Sequence, residues 1–337
     1  MIFLHPLPQR NHLPLSRIHK KLKSPAHHPL VRQSEQLPSP NKLMQTTLHI
    51  TSGDMAGEIL VKSGVPGEVF VWHDILYDGP RKPGWPDDET LEARSCFLVE
   101  TTDGGPAQDY VLTTLQNQYA KLRTAAQDDS PYDRVVLWFD ACLFDQSMLC
   151  HILCCMHLLG MDQVDLLCID AFPGIEPYNG LGQLSPEQLA SRYASRRSVT
   201  EEQFLFAEQV DQAFALQDQA AFKKLTDSNQ VPLPWIPAAV QRWSEEAPDS
   251  TTGLGRLACL ALEAIRSGCD TPGAVFTFAA ARDTPPQFWG DITLWQKINA
   301  LAEMDPPLVW IEGPKKRLPQ WEGIADLKRF RLFPVGP

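Results

Sequence analysis

The sequence lacks the patterns that define several common classes of protein. No apolar run approaches the roughly 18 to 20 residues that a membrane-spanning helix needs, and the richest candidate, Met148 to Met161, is short and contains two histidines. There is no Gly-x-Gly-x-x-Gly or Walker-type phosphate loop and no Gly-x-Ser-x-Gly nucleophile elbow. These absences argue against a membrane partner and against the nucleotide-binding and hydrolase classes that those motifs define.

A disulfide framework is also absent. The eight cysteines do not show the spacing of a small secreted domain, and most lie in apolar stretches. Cys150, Cys154 and His157 would share one face of a helix, as zinc ligands do, but no fourth ligand is evident, so a packed helix face is favoured. Cys142 has no histidine partner that the sequence places beside it. We therefore expect free thiols and a cytoplasmic protein.

Positive charge is scarce outside the first 43 residues. Residues 1–43 carry seven Lys or Arg and one acidic residue, whereas the remainder carries 23 basic and 40 acidic residues. An acidic body repels phosphate backbones, which disfavours nucleic acid as a partner. The leader has no secretory signal pattern. We predict that translation starts at Met44 and that residues 1–43 are a disordered basic leader or are not translated. The alternatives are a basic arm that binds nucleic acid and an organellar address.

From Thr46 onward, strands and helices are predicted to alternate. The predicted strands are Thr47–Thr51, Glu68–Trp72, Arg134–Phe139 and Val164–Ile169. The last two are almost continuously apolar, as is typical of strands buried on both faces of a parallel sheet. Because helical stretches separate the strands, the pattern predicts an α/β fold with a parallel-sheet, Rossmann-like domain over residues 44–176.

The remainder of the chain is predicted to be helical and then mixed. Capping boxes begin at Ser185 and Thr200, which indicates a helical section over residues 177–248. Residues 249–337 contain three helical stretches followed by two short strands, the element order of a winged-helix-like module. Its balanced charge, with only Lys297 as a cation in the third helix, favours protein contacts over DNA binding.

Aspartates follow the predicted strands. Asp54, Asp74, Asp140 and Asp170 each stand at or just after a strand end, and ligands of open parallel sheets bind outside the carboxyl ends of the strands. Converging carboxylates would hold Mg²⁺ or Mn²⁺, bind sugar hydroxyls, or act as acid and base. The alternative is that each aspartate caps a helix.

Two glycine-containing loops are further candidates. Ser52-Gly53-Asp54 lies between a strand and a helix, where phosphate would meet backbone N–H groups, unless it is only a tight turn. Gly180-Leu181-Gly182 joins the α/β and helical parts, where it would close over a ligand or simply permit a sharp chain reversal.

The region from Thr46 to Leu184 resembles the bacterial domain-of-unknown-function family 1835. The resemblance rests on these motifs: His49-Ile50-Thr51-Ser52-Gly53-Asp54, Trp72-His73-Asp74, Asp78-Gly79-Pro80, Arg94 ahead of Phe97-Leu98, Leu137-Trp138-Phe139-Asp140, Leu143-Phe144-Asp145-Gln146 and Gly180-Leu181-Gly182-Gln183-Leu184. It implies a bacterial cytoplasmic protein that starts near Met44, and it implies no activity. Relatives carry Glu-His-Asp where this chain has Asp140-Ala141-Cys142, a departure that weakens a catalytic role for the segment.

Two functions are compatible with these patterns. The first is a ligand-binding α/β domain for a small molecule, a nucleotide or a metal, in which aspartates bind the ligand or transfer protons and Arg94 neutralises an anion. The second is a regulatory or adaptor protein whose C-terminal module contacts a protein partner. The candidate ligand-binding residues are Ser52, Gly53, Asp54, Asp74, Arg94, Asp140, Asp145, Gln146, Gly180 and Gly182.

Overall fold

The N-terminal half of the protein is built around one mostly parallel β-sheet. The computed structural model describes residues 46–102, 105–227, 231–283, 289–320 and 324–336. The basic leader predicted at residues 1–43 lies outside them. The elements of this half are β1 (Thr46–Ser52), α1 (Asp54–Lys62), β2 (Glu68–Trp72), α2 (Asp88–Thr101), α3 (Gln108–Ala125), β3 (Tyr132–Asp140), α4 (Leu143–Leu158) and β4 (Val164–Ile169).

The strand order places β1 and β3 in the middle of the sheet. The order is β2-β1-β3-β4-β5, where β1 to β4 run parallel and the two-residue β5 (Arg197–Ser198) pairs antiparallel with β4. The four predicted parallel strands are thus confirmed, while β5 was not predicted. Because β2 and β3 lie on opposite sides of β1, the switch point of this sheet lies between β1 and β3.

Both faces of the sheet are covered. Side chains on one face, such as Ile50 and Leu137, join a core with α4, and those on the other, such as Trp138, pack with Leu60 of α1 and Leu189. Strands buried on both faces need apolar residues at nearly every position, which explains the continuous apolar sequence of β3 and β4.

The second half of the chain is helical and ends in a small antiparallel sheet. Its elements are α5 (Pro186–Arg192), α6 (Glu201–Leu216), α7 (Gln219–Thr226), α8 (Ile236–Ser244), α9 (Arg256–Arg266), α10 (Pro272–Arg282), α11 (Asp291–Glu303), β6 (Val309–Glu312) and β7 (Arg331–Pro334). The capping boxes predicted at Ser185 and Thr200 are both formed. The strands β6 and β7 pair antiparallel. A winged-helix-like arrangement of this region stays a prediction.

A buried network ties the loop after β2 to the helices. Asp211 on α6 accepts hydrogen bonds from Arg81 and, at 2.8 Å, from the backbone N–H of Gly84. It also lies 2.9 Å from Nδ1 of His151 on α4, whose Nε2 is 2.8 Å from the Tyr119 hydroxyl. Burial favours the neutral carboxyl, but the charges of His151 and Arg81 outweigh it and lower the pKa of Asp211 to about 2.

None of the helices within the described ranges is long and apolar enough to cross a membrane.

Candidate functional site

A cavity of about 920 Å³ lies at the carboxyl ends of β1, β2 and β3. The loops after these strands form one side, including Ser52, Asp74 and Asp140. The opposite side comes from the C-terminal half and includes Trp243, Phe276 and Trp295, among other residues of the region from α8 to α11. The cavity therefore joins the two halves of the chain at the edge of the sheet where ligands of open α/β folds bind.

Two buried carboxyl groups meet at the switch point. Asp140 ends β3 and is 7% exposed, and Asp145 in the first turn of α4 is 2% exposed. The Ser52 hydroxyl at the end of β1 donates to Oδ1 of Asp145, and the backbone N–H of Asp140 donates to its Oδ2 at 2.7 Å. Oδ1 of Asp140 accepts the backbone N–H of Cys142 at 2.8 Å. These bonds fix both carboxyl groups on the cavity wall, and we call them the Asp140–Asp145 pair.

The pair retains a proton at a higher pH than ordinary aspartates do. Burial raises the pKa of Asp145 well above its ordinary value, and the negative charge of Asp140 raises it further. Burial also raises the pKa of Asp140, against the hydrogen bonds from Cys142 and from the backbone of Leu181. Because burial and the neighbouring negative charge both disfavour ionisation, the two carboxyl groups ionise less readily than ordinary aspartates and titrate as a coupled pair.

Cys142 forms a group of potential metal ligands with Asp140 and Asp145, the one such group in the part of the chain that the structure describes. Its sulfur and the carboxylate oxygens of Asp140 and Asp145 lie within 4.8 Å of one another. Burial raises the pKa of the Cys142 thiol well above its ordinary value, and both carboxylates add to the effect. These three side chains are therefore the described residues that lie close enough together to hold a metal ion.

Glycine is required beside the pair. Gly180 has a φ of 124°, which other residues rarely adopt, and a Cβ at this position would overlap Oδ2 of Asp140. Gly182 also lines the cavity, where an added Cβ would lie 3.1 Å from Cγ of Met55. Gly53, with a φ of 67°, turns the chain from β1 into α1. The two predicted glycine loops therefore meet at this site.

Asp74 and Arg94 form a buried ion pair instead of presenting free charges. Nε and Nη2 of Arg94 donate to the Asp74 carboxylate at 2.5–3.1 Å. Arg94 also donates to the carbonyl groups of Ile75, Asp78 and Pro80, and it is 1% exposed. Asp74 lines the cavity, but Arg94 does not. Arg94 therefore organises the loop after β2 and is not positioned to neutralise an anionic ligand.

Asp54 binds a histidine beside the cavity. Nε2 of His73 donates to Oδ1 of Asp54 at 2.8 Å, and the backbone N–H of His73 donates to Gln118 at 2.6 Å. His73 lines the cavity. It belongs to the Trp72-His73-Asp74 motif, so a sequence signal for it existed although it was not among the candidate residues.

The strand-end aspartates do not form one cluster: Asp74 and Asp140 line the cavity, and Asp140 is joined there by Asp145, which was not a strand-end candidate. Asp140 and Asp145 meet, whereas Asp54 and Asp74 have other partners and Asp170 accepts a hydrogen bond from Trp235 at 3.0 Å. None of the four strand-end aspartates is a helix N-cap residue: Gly53 precedes α1, Asp87 caps α2 and Cys142 caps α4. Gln146 is buried behind the pair, where it donates to the backbone carbonyl of Asp140 at 2.6 Å.

No protein-family model and no curated protein matches this chain. The resemblance to family 1835 therefore stays a prediction.

Proposed function

We propose that this protein binds a small organic molecule in the cavity at the strand ends, with the Asp140–Asp145 pair as its polar anchor. The observation that carries the proposal is a buried, hydrogen-bonded carboxyl pair on the wall of a cavity of about 920 Å³. This volume lies within the range of about 300–1,000 Å³ that small-molecule sites occupy.

The anchor is preorganised. Ser52 and the backbone N–H groups of Asp140 and Cys142 hold the carboxyl groups in place without help from a ligand. A ligand would therefore not have to order these side chains, a cost of about 0.5–1.5 kcal/mol for each immobilised side chain. A protonated carboxyl group donates a hydrogen bond and an ionised one accepts it, so the pair can offer a ligand either kind of contact.

The proposal is tested by screening a fragment library for compounds that raise the melting temperature of the full chain. Thr114→Trp should abolish the shift because Thr114 lines the cavity. Thr124→Trp is its matched control: both threonines are half-buried on α3 and bond the carbonyl four residues earlier, but Thr124 does not line the cavity. A screen without any hit sensitive to Thr114→Trp would refute the proposal.

The anchor is tested by the double variant Asp140→Asn/Asp145→Asn, with Asp165→Asn as its control. Asp165 is a buried aspartate of the same sheet, but it binds Arg134 and Arg196 and lies outside the cavity wall. We expect the double variant to weaken binding of the hits about tenfold or more, since it removes the charge of the pair and a hydrogen bond to a charged group contributes about 1.5–3 kcal/mol. Equal affinities of the two variants would show that the pair is not the anchor.

A second candidate is an adaptor function of the C-terminal region, which would keep the predicted winged-helix-like module as a protein-binding surface. It is favoured by an exposed aromatic pair: Trp310 on β6 lies opposite Phe333 on β7, and they are 51% and 40% exposed. Replacing both residues by serine should abolish binding of a protein partner, whereas the Thr114→Trp variant should still bind that partner. Retained capture by the serine variant would contradict this candidate.

A further inference from the structure

The charges of the cavity wall are mostly negative. Six carboxyl groups line it, from Asp74, Asp78, Asp140, Asp145, Glu246 and Asp291. Among the described lining residues, Lys297 is the one Lys or Arg, and its Nζ lies 3.5 Å from Oε2 of Glu246. Arg94 offsets Asp74 and Arg242 offsets Glu246, whereas no described cation lies within ion-pair distance of Asp78, Asp291 or the Asp140–Asp145 pair. The wall therefore has a net negative charge.

The helix N-termini at the cavity do not reverse this charge. The helices α1, α4 and α11 all begin at the cavity, and such N-termini ordinarily attract anions. Each of these helices carries an aspartate in its first turn, namely Asp54, Asp145 and Asp291. Because a carboxylate already offsets each helix dipole, a phosphate or carboxylate ligand would meet repulsion from these side chains.

Aromatic side chains form much of the remaining wall. Tyr77, Phe144, Trp243, Phe276 and Trp295 all line the cavity. Aromatic faces attract organic cations by about 0.5–2 kcal/mol in addition to burying their apolar parts.

We infer that the ligand of this cavity is an organic cation, with its ammonium group bound by the Asp140–Asp145 pair and its apolar body against the aromatic wall. This inference rests on the proposed function, because it names the chemical class of the molecule that the cavity binds.

The test uses matched compounds that differ in charge alone. For butyl, phenylethyl and naphthylethyl bodies, the affinities of the primary amine, the alcohol and the carboxylate for the full chain are measured by calorimetry at pH 7. We expect each amine that fits to bind about tenfold or more tightly than its alcohol, since charged hydrogen bonds are about twice as strong as neutral ones. The carboxylates should bind more weakly than the alcohols.

Substitutions test whether the Asp140–Asp145 pair causes the preference for amines over alcohols. Asp140→Asn and Asp145→Asn combined should bring the amine-to-alcohol affinity ratio close to one, because together they remove the negative charge of the pair, while Asp165→Asn should leave the ratio unchanged. If alcohols or carboxylates bind as tightly as the amines and Thr114→Trp abolishes that binding, the cation inference is wrong and the proposed function stands. If no compound of any charge binds in a way that Thr114→Trp abolishes, both are refuted.

Discussion

The contact between Gly180 and Asp140 gives the sharpest stability prediction. Gly180→Ala forces a side chain into a backbone conformation with a φ of 124° and drives its Cβ into Oδ2 of Asp140. The backbone strain costs about 1–3 kcal/mol, and the overlap adds about 1–3 kcal/mol, as overpacking in cores does. We therefore expect the free energy of unfolding to fall by about 2–6 kcal/mol in urea titrations, the sum of these two contributions.

Two further variants separate the strain from the overlap. Gly174→Ala measures strain, because Gly174 has a φ of 80° but an added Cβ would have no atom within 4 Å. In an Asp140→Ala background, the Cβ added by Gly180→Ala no longer overlaps a carboxylate, so Gly180→Ala should cost less. The difference between its costs in the two backgrounds is the coupling free energy, which we expect to be about 1–3 kcal/mol, the full cost of the overlap. If Gly180→Ala costs the same with and without the Asp140 carboxylate, the reasoning about this contact is wrong.

Three other predictions concern buried charges. Asp145→Asn should gain stability relative to the natural chain as pH rises above about 4, the ordinary pKa of an aspartate in the unfolded chain. Burial raises the pKa of Asp145 in the folded state, so the folded natural chain keeps a proton that the unfolded chain releases, and it loses about 1.4 kcal/mol of stability for each pH unit over which this difference persists. A pH-independent difference in urea titrations would contradict this. Asp211 has a pKa lowered from 3.8 to about 2, so its contribution of about 2–3 kcal/mol to stability is present above pH 4 and is lost as pH falls through 2. The difference in stability between the natural chain and Asp211→Asn should therefore shrink over that range, and a constant difference would refute the lowered pKa of Asp211. Arg94→Gln leaves Asp74 buried without its ion pair and should lower the free energy of unfolding by about 3–5 kcal/mol. Adding Asp74→Asn should restore part of this loss. If the stability losses of the two single variants simply add in the double variant, Asp74 and Arg94 are not coupled.

Local sequence patterns predicted the central elements because those patterns are themselves the physical cause of the elements. The apolar runs of β3 and β4 are required by burial on two faces, and the capping boxes at Ser185 and Thr200 satisfy the N–H groups of their own helices. The strand β5 has two residues, too few for a periodic signal, and its pairing with β4 depends on tertiary structure.

The candidate site was predicted in part. The rule that ligands bind at the carboxyl ends of parallel strands led to Asp140, whereas Ser52 came from the glycine-containing loop and Asp145 from the family resemblance; the switch point between β1 and β3 brings the three together. The same rule grouped Asp54 and Asp74 with them, but a strand end does not reveal the partner of a side chain. The partners His73 and Arg94 are 19 and 20 residues away in the chain.

The sequence did not predict which residues the second half of the chain contributes to the cavity. Trp243, Phe276 and Trp295 come from helices of the second half, where an aromatic residue on an amphipathic helix is ordinarily a core residue. Only the packing of the two halves shows that these side chains line the same cavity as the Asp140–Asp145 pair.

The most direct test of the central claim follows the aspartate carboxyl carbons by NMR while the tightest-binding compound from the screen is added to ¹³C-labelled protein. We predict that the ¹³Cγ signals of Asp140 and Asp145 move and that the pH at which they titrate changes, while the signal of Asp165 stays in place. Binding that leaves the Asp140 and Asp145 signals unmoved would contradict the claim that this pair anchors the ligand.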